Sequence, residues 1–302
     1  MIKDRIFTMV GPTAVGKTGI AIEICRRISG EIISADSRQI YKFLDIGTAK
    51  PTIKERQMIN FHLIDFVHPD DNYSCGQFCR DAVTKIEEIH KRDNTPIICG
   101  GTGLYIKSLF NPLHDLPHAE RKLKEKLNQM LQKHGVDYLY QRLLTIDPDW
   151  AKKITAQDRQ RILRGIEVYE LTGTPLSKLI KKQRKEAEYL PYYIGLNLPR
   201  EELYQRIDTR FSAMIKNGFV EEVKSLLRKG FDPKSNALRT IGYKEIIEFL
   251  EGKSTLDQAI SKAKQRTRNF AKRQITWFKR IPDLRWYNPN DPKIVKNIID
   301  QI

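Results

Sequence analysis

The sequence predicts an α/β fold in which a parallel sheet flanked by helices is interrupted by an all-helical insertion domain. Three observations predict it. Short apolar runs alternate with helically spaced apolar residues through residue 112, a glycine-rich loop sits between one such run and one such helix, and strand-like segments vanish for about 80 residues after Pro112. The first strand is the run Ile6, Phe7, Thr8, Met9, Val10, and the helix beyond the loop repeats Ile20, Ala21, Ile24, Cys25 and Ile28. Ile32, Ile33, Ser34 and Ala35 make a second strand. A helix face through Phe78, Ala82, Ile86 and Ile89 precedes the buried-type strand Pro96, Ile97, Ile98, Cys99, which stops at Gly100, Gly101, Thr102, Gly103. Such a rhythm implies a doubly wound sheet that binds ligands at the carboxyl ends of its strands.

Residues 113–190 are dense in Lys, Arg, Gln and Leu and read as helices broken at Gly135, Pro148 and Gly173-Thr174-Pro175. The run from Tyr192 to Leu198 returns to the sheet. The expected division is therefore a core of residues 1–112 plus 193–302, with residues 113–192 as the insertion. From Glu201 a helix carries Leu203, Ile207, Phe211 and Met214 on one face and stops at Gly218. The last long helix, residues 256–281, contains the strongly basic KAKQRTRNFAKRQITWFKR.

The net charge of +16 is unevenly spread, with 15 Lys and Arg against 13 Asp and Glu up to residue 112 and 38 against 24 after it. That leaves +2 on the first part and +14 on the rest. A concentrated positive charge suits a polyanion, because neutralised phosphates release their counterions, although solubility accounts for part of it. No window approaches the roughly 18 apolar residues of a membrane span, and the opening residues lack a signal-peptide core, so a cytoplasmic protein without membrane contact is expected. Cys25, Cys75, Cys79 and Cys99 are read as reduced thiols, since His62 and His68 stand at no zinc-ligand spacing from them. Nothing in the sequence demands more than a monomer.

Gly11, Pro12, Thr13, Ala14, Val15, Gly16, Lys17 and Thr18 match G-x4-G-K-[ST] between a strand and a helix, the setting the motif requires. The fold class is accordingly P-loop NTPase-like. Backbone N–H groups and the helix dipole would hold oxyanions, Lys17 would add a point charge, and the Thr18 hydroxyl suits Mg²⁺. The motif leaves open whether a nucleoside triphosphate binds or a diphosphate is stabilised as it leaves carbon.

Asp36 closes the second strand, with three roles in competition: magnesium ligand, general base, or cap of the next turn. The following DSRQIYKFLDIGTAKP, residues 36–51, is too polar for a buried strand and too interrupted for one helix. It reads as a loop. It holds Gln39 and Lys50, and Gln is a side chain able to contact an adenine edge with both amide groups.

GPTAVGKT, this loop, GGTGLY at 100–105, DRQRILRGIEVYELTGTPLS at 158–177, RTIGYKE at 239–245 and TRNFAKRQITWF at 267–278 together resemble the tRNA dimethylallyltransferase (tRNA isopentenylpyrophosphate transferase) family over almost the whole chain. One departure is Gly165, where the family pattern has alanine, a change that costs a helix interior roughly 1 kcal/mol. The resemblance implies transfer of a dimethylallyl group from dimethylallyl diphosphate to N6 of the adenosine 3′ of the anticodon, with Mg²⁺ assisting. It implies Asp36 as base, Lys17, Thr18, Arg206 and Arg210 on the leaving diphosphate, and Thr102 beside the adenine or allyl group. The anticodon stem-loop would be held by Asp36, Ser37, Arg38 and Gln39, by Gln160, Arg161, Ile162, Leu163 and Arg164 of the insertion, and by Arg239, Thr240, Gly242, Tyr243 and Lys244 of the core. Read from the residues alone, Arg206 and Arg210 serve equally well as solvated face charges, and turn chemistry explains the glycines beside Thr102.

Three rival functions share the phosphate loop or the charge. A small-molecule kinase needs neither the helical insertion nor the +14 excess. An isopentenyltransferase acting on free adenylate leaves the same features idle, and a non-enzymatic RNA-binding module leaves the phosphate loop and Asp36 without purpose.

Overall fold

The computed structural model describes residues 5–111, 116–117, 121–182 and 187–301. Its elements run β1 (Arg5–Val10), α1 (Lys17–Ile28), β2 (Gly30–Ala35), α2 (Ile53–Met58), β3 (Phe61–His62), α3 (Cys75–His90), β4 (Thr95–Gly100) and α4 (Gly103–Phe110). Then come α5 (Arg121–Ile146), α6 (Pro148–Ala151), α7 (Arg159–Thr172) and α8 (Leu176–Lys182). The chain closes with β5 (Leu190–Leu196), α9 (Arg200–Lys216), α10 (Phe219–Arg228), α11 (Tyr243–Leu250), α12 (Leu256–Phe278), β6 (Arg285–Tyr287) and α13 (Ile294–Ile299). Contacts divide it into one unit of residues 1–110 and 187–302 and a second of residues 111–186.

In the first unit all six strands are parallel, in the order β3-β2-β4-β1-β5-β6. Parallel strands are covered on both faces, so both side-chain sets are apolar. Phe7, Met9, Ile32, Ile97 and Ile194 pack on one face with residues of α1, α9 and α13, while Ile6, Val10, Ile33 and Ile98 pack on the other with α3, α4 and Phe278. Gly100 pairs with both Val10 and Ala35, which sets the ends of β1, β4 and β2 side by side. A Cβ at Gly100 would stand 2.2 Å from the Ala35 carbonyl oxygen, so this strand end must be glycine. The edge strands β3 and β6 went unseen in the sequence because two and three residues show no alternation.

Residues 36–51 form the expected loop, yet it has its own core. Ile40, Tyr41 and Leu44 are buried among Phe211, Phe219, Val223 and Tyr243. The Glu222 carboxylate accepts N–H bonds from Asp45, Ile46 and Gly47 at 3.0, 2.7 and 3.1 Å and the Tyr243 hydroxyl at 2.6 Å. Lys50 is buried between Asp45 and Asp65, 2.7 Å from each, and is a strut of the loop. His62 is taken by the buried Glu31 at 2.6 Å.

Among the described residues the second unit is all helical. α5 bends at Gly135 (φ 80°, ψ 173°), where the sequence placed a break, and Pro148 opens α6 behind the Asp147 cap. Leu127, Leu139, Leu143, Ala151, Ile162 and Ile166 form its core. Gly165 is explained by proximity: a Cβ there would lie 2.7 Å from Leu143 Cδ1 and 3.0 Å from Trp150 Cδ1. Close packing against Leu143 and Trp150 opposes a side chain at this point, against the gain in helix propensity that alanine would bring.

Candidate active site

The carboxyl ends of β2 and β4 and the loop after β1 deliver Asp36, Gly101 and Thr13 to a cleft of about 290 Å³. Its lining includes Thr13, Gly16, Lys17, Thr18, Asp36, Gln39, Gly101 and Arg210. The phosphate loop has the backbone that glycine-rich cradles need: Gly11 and Gly16 have φ of 157° and 102°, and Gly16 opens α1 with no side-chain cap. The amides at the start of α1 are therefore left for an anion. A depression lined by Ile22, Glu23, Arg26 and Arg27 on α1 is roomier, but it gathers no comparable set of polar groups.

Lys17 Nζ donates to the carbonyls of Gly11 at 3.0 Å and Pro12 at 2.8 Å. Burial pushes its pKa down to about 8, Cys99 and Asp36 oppose that shift, and Arg210 adds to it. Arg210 donates to Thr13 Oγ1 at 2.6 Å, and burial lowers its pKa against the pull of Asp36. Burial raises the Cys99 thiol to about 11, so it stays neutral in the cleft. Arg206 lies farther out, 3.0 Å from Glu202 and 2.5 Å from the Asn290 amide oxygen, with its guanidinium near Gly16. The two arginines thus differ. Arg210 is built into the cleft, and Arg206 stands at its rim with an ion-pair partner.

Asp36 Oδ1 accepts the N–H groups of Arg38 at 2.8 Å and Gln39 at 3.3 Å, which is the turn cap. Among the described residues its Oδ2 receives no donor, so the cap uses one oxygen and leaves the other free. Thr102 Oγ1 accepts the Ser37 N–H at 2.9 Å and fastens the glycine-rich turn to the Asp36 loop. Arg38 reaches the Asn236 carbonyl at 2.7 Å, beside the exposed Arg239.

Several expected RNA contacts need correction. Gln39 lines the cleft, but its Nε2 donates to the carbonyls of Thr48 and Ala49 at 3.2 and 3.0 Å. Both amide protons are spent, so a two-point contact with an adenine edge is closed to it. Tyr243 is fully buried in the core around Phe219, and Ile162 is fully buried in the insertion, so neither side chain can touch RNA. Thr240 and Gly242 are also buried; Thr240 bonds the Ala237 carbonyl, and the Gly242 N–H is capped by Glu245. Leu163 packs on the insertion core, and Arg164 is held by Glu167 and the Pro117 carbonyl. Gln160, Arg161, Arg239 and Lys244 remain exposed.

Gln274 and Phe270, both on α12, line the cleft without having been singled out in the sequence. Spacing could flag only their motif, because the hydrogen-bond partners of Gln274 lie 261 and 173 positions away.

With this geometry in hand, comparison with known proteins is informative. The sequence model of the IPP transferase family matches residues 39–281. The tRNA dimethylallyltransferase of Caldanaerobacter subterraneus subsp. tengcongensis is 43% identical, over 99% of this chain and 96% of its own length. That of Thermoanaerobacter pseudethanolicus is 45% identical, over 98% and 96%. The crystal structure of the tRNA isopentenylpyrophosphate transferase of Bacillus halodurans matches with a TM-score of 0.73 and 35% identity, covering 99% of this chain and 95% of that one. A eukaryotic dimethylallyltransferase described as acting on tRNA matches with a TM-score of 0.84 and 31% identity, covering 99% and 77%.

Proposed function

The chain belongs to the IPP transferase family, and from that premise and the geometry of the cleft we propose that it is a tRNA dimethylallyltransferase. It moves the dimethylallyl group of dimethylallyl diphosphate to N6 of the adenosine 3′ of the anticodon and releases diphosphate. The observation that carries this reading is the convergence of Asp36, Lys17 and Arg210 on one cleft. A carboxylate able to take a proton faces cations able to hold a leaving anion.

The N6 lone pair, weakened by delocalisation into the ring, forms a bond to C1 of the allyl group. The C1–O bond breaks, its electron pair leaves with the diphosphate, and the N6 proton passes to Asp36 Oδ2. Lys17, Arg210 and the amides at the start of α1 stabilise the charge that grows on the diphosphate. Arg206 screens the same anion from the rim. Mg²⁺ fits here, because Thr18 and Asp36 line the same cleft and a small hard cation takes few protein ligands beside substrate phosphates and water. Bound to the Thr18 hydroxyl, it would neutralise diphosphate charge. The target base is already unpaired in its loop, so its extrusion costs less than from a duplex. Gln160 and Arg161 on the insertion and Arg239 and Lys244 on the core offer the exposed polar and cationic contacts, with the half-buried Arg38 beside them.

Asp36→Asn tests the assignment cleanly, because the amide oxygen still accepts the Arg38 and Gln39 N–H groups while the base is lost. Transfer should drop by at least about 100-fold with tRNA affinity unchanged. Turnover near that of the wild type would remove Asp36 from the proton-accepting role.

A further inference from the structure

Gln274 is only 6% exposed and is the one α12 side chain hydrogen-bonded to both the phosphate loop and the glycine-rich turn among the described residues. Its Oε1 accepts the Thr13 N–H at 2.8 Å, and its Nε2 donates to the Gly101 carbonyl at 2.9 Å. The two partners fix the amide orientation, since a backbone N–H only donates and a carbonyl only accepts. A Cβ at Gly101 would stand 2.3 Å from Gln274 Nε2, so the turn is glycine where the amide presses on it. One helical turn on, a Cβ at Gly103 would stand 2.2 Å from Trp277 Nε1. The same helix therefore meets the glycine-rich turn at two points.

With its N–H given to Gln274, Thr13 has no main-chain donor left for phosphate, and its hydroxyl oxygen accepts from Arg210. The anion cradle then begins at Ala14 and extends to the Thr18 hydroxyl. The diphosphate seat and the turn that borders the adenine are consequently held in one register by a single side chain.

We propose that Gln274 is a positioning residue, which holds the phosphate loop against the Gly101 turn so that the allyl carbon and the adenine amine meet in reacting geometry. The inference rests on the dimethylallyl-transfer reading. Gln274 acts on alignment, so its loss should reach the rate of the bound complex before it reaches affinity. A misplacement of about 1 Å costs on the order of 100-fold in rate.

The test compares Gln274→Met, similar in reach and lacking both hydrogen bonds, with Gln274→Glu, which retains the acceptor for Thr13 and loses the donor to Gly101. It adds Gly101→Ala and Gln274→Ala, singly and together. Steady-state kcat and KM for dimethylallyl diphosphate and tRNA are measured, with Tm as the control for folding. Gln274→Met should lower kcat by roughly 10- to 100-fold and leave both KM values within about threefold. Gln274→Glu should fall between it and the wild type, and it keeps the comparison readable if the Met variant unfolds. Gly101→Ala should be impaired alone, and because the shortened side chain of Gln274→Ala vacates the space, the double variant should lose less than the product of the two single losses. A wild-type kcat in Gln274→Met overturns the proposal. So does a loss that appears only as a raised KM for tRNA, or Gly101→Ala and Gln274→Ala losses that multiply as independent effects. Wild-type enzyme that alkylates no tRNA in the same assay would instead overturn the reaction assignment.

Discussion

Lys17 shows how a single residue is tuned by its place in the fold. Its ammonium is tied to two loop carbonyls, and burial brings its pKa to about 8 from an ordinary 10.5. The charged form in the ligand-free protein therefore fades as pH rises through about 8, and stability is penalised below that value and relieved between about 8 and 10.5. Affinity for dimethylallyl diphosphate, measured by titration calorimetry, should weaken across that interval. Lys17→Arg should flatten the dependence, because a guanidinium stays charged there. The loop around Lys17 was legible in the sequence, since eight contiguous residues carry it between a strand and a helix. Asp36 was legible as a strand-ending carboxylate, with its competing roles unresolved; the capping role falls to Oδ1. Gln39 misled because side-chain type suggests base reading, whereas the carbonyls of Thr48 and Ala49 claim its protons. Gln274 was silent for the opposite reason: its partners are 261 and 173 residues away.

At the scale of elements, apolar spacing was the reliable signal. Phe78, Ala82, Ile86 and Ile89 are the buried residues of α3, and Leu203, Ile207, Phe211 and Met214 are those of α9. Loop packing was not visible in that pattern. The 36–51 segment reads as polar turn chemistry, yet it is pinned by Glu222 and inserted among the rings of Phe219 and Tyr243. A Cβ at Gly47 would lie 2.1 Å from Phe219 Cε2 and 2.5 Å from Tyr243 Cε2, both on buried rings. Gly47→Ala should therefore destabilise the protein by about 1 to 3 kcal/mol in urea unfolding, as overpacking does. Gly165→Ala sets two effects against each other. Helix propensity favours alanine by roughly 1 kcal/mol, while the clash with Leu143 and the Trp150 ring opposes it. Because the Trp150 ring cannot yield by a rotamer change as a chain end can, the variant should be less stable than the wild type.

Over the whole molecule, the +14 excess after residue 112 coincides with the exposed Arg161, Arg239 and Lys244 and with the basic α12. No described helix is long and apolar enough to cross a membrane. Binding of tRNA should weaken about tenfold between roughly 50 and 200 mM salt for every two phosphates neutralised. Arg239→Ala should reduce the slope of that dependence by about one charge. The topology followed from the alternation of strands and helices, whereas the partition at residues 110 and 187 depends on contacts that composition only outlines. Product analysis tests the dimethylallyl transfer most directly. Purified protein, Mg²⁺, dimethylallyl diphosphate and unmodified tRNA should yield N6-dimethylallyl adenosine next to the anticodon by mass spectrometry of the digested RNA, and no transfer when that adenosine is replaced by guanosine. An RNA left unmodified while the protein phosphorylates a small metabolite from ATP would contradict it.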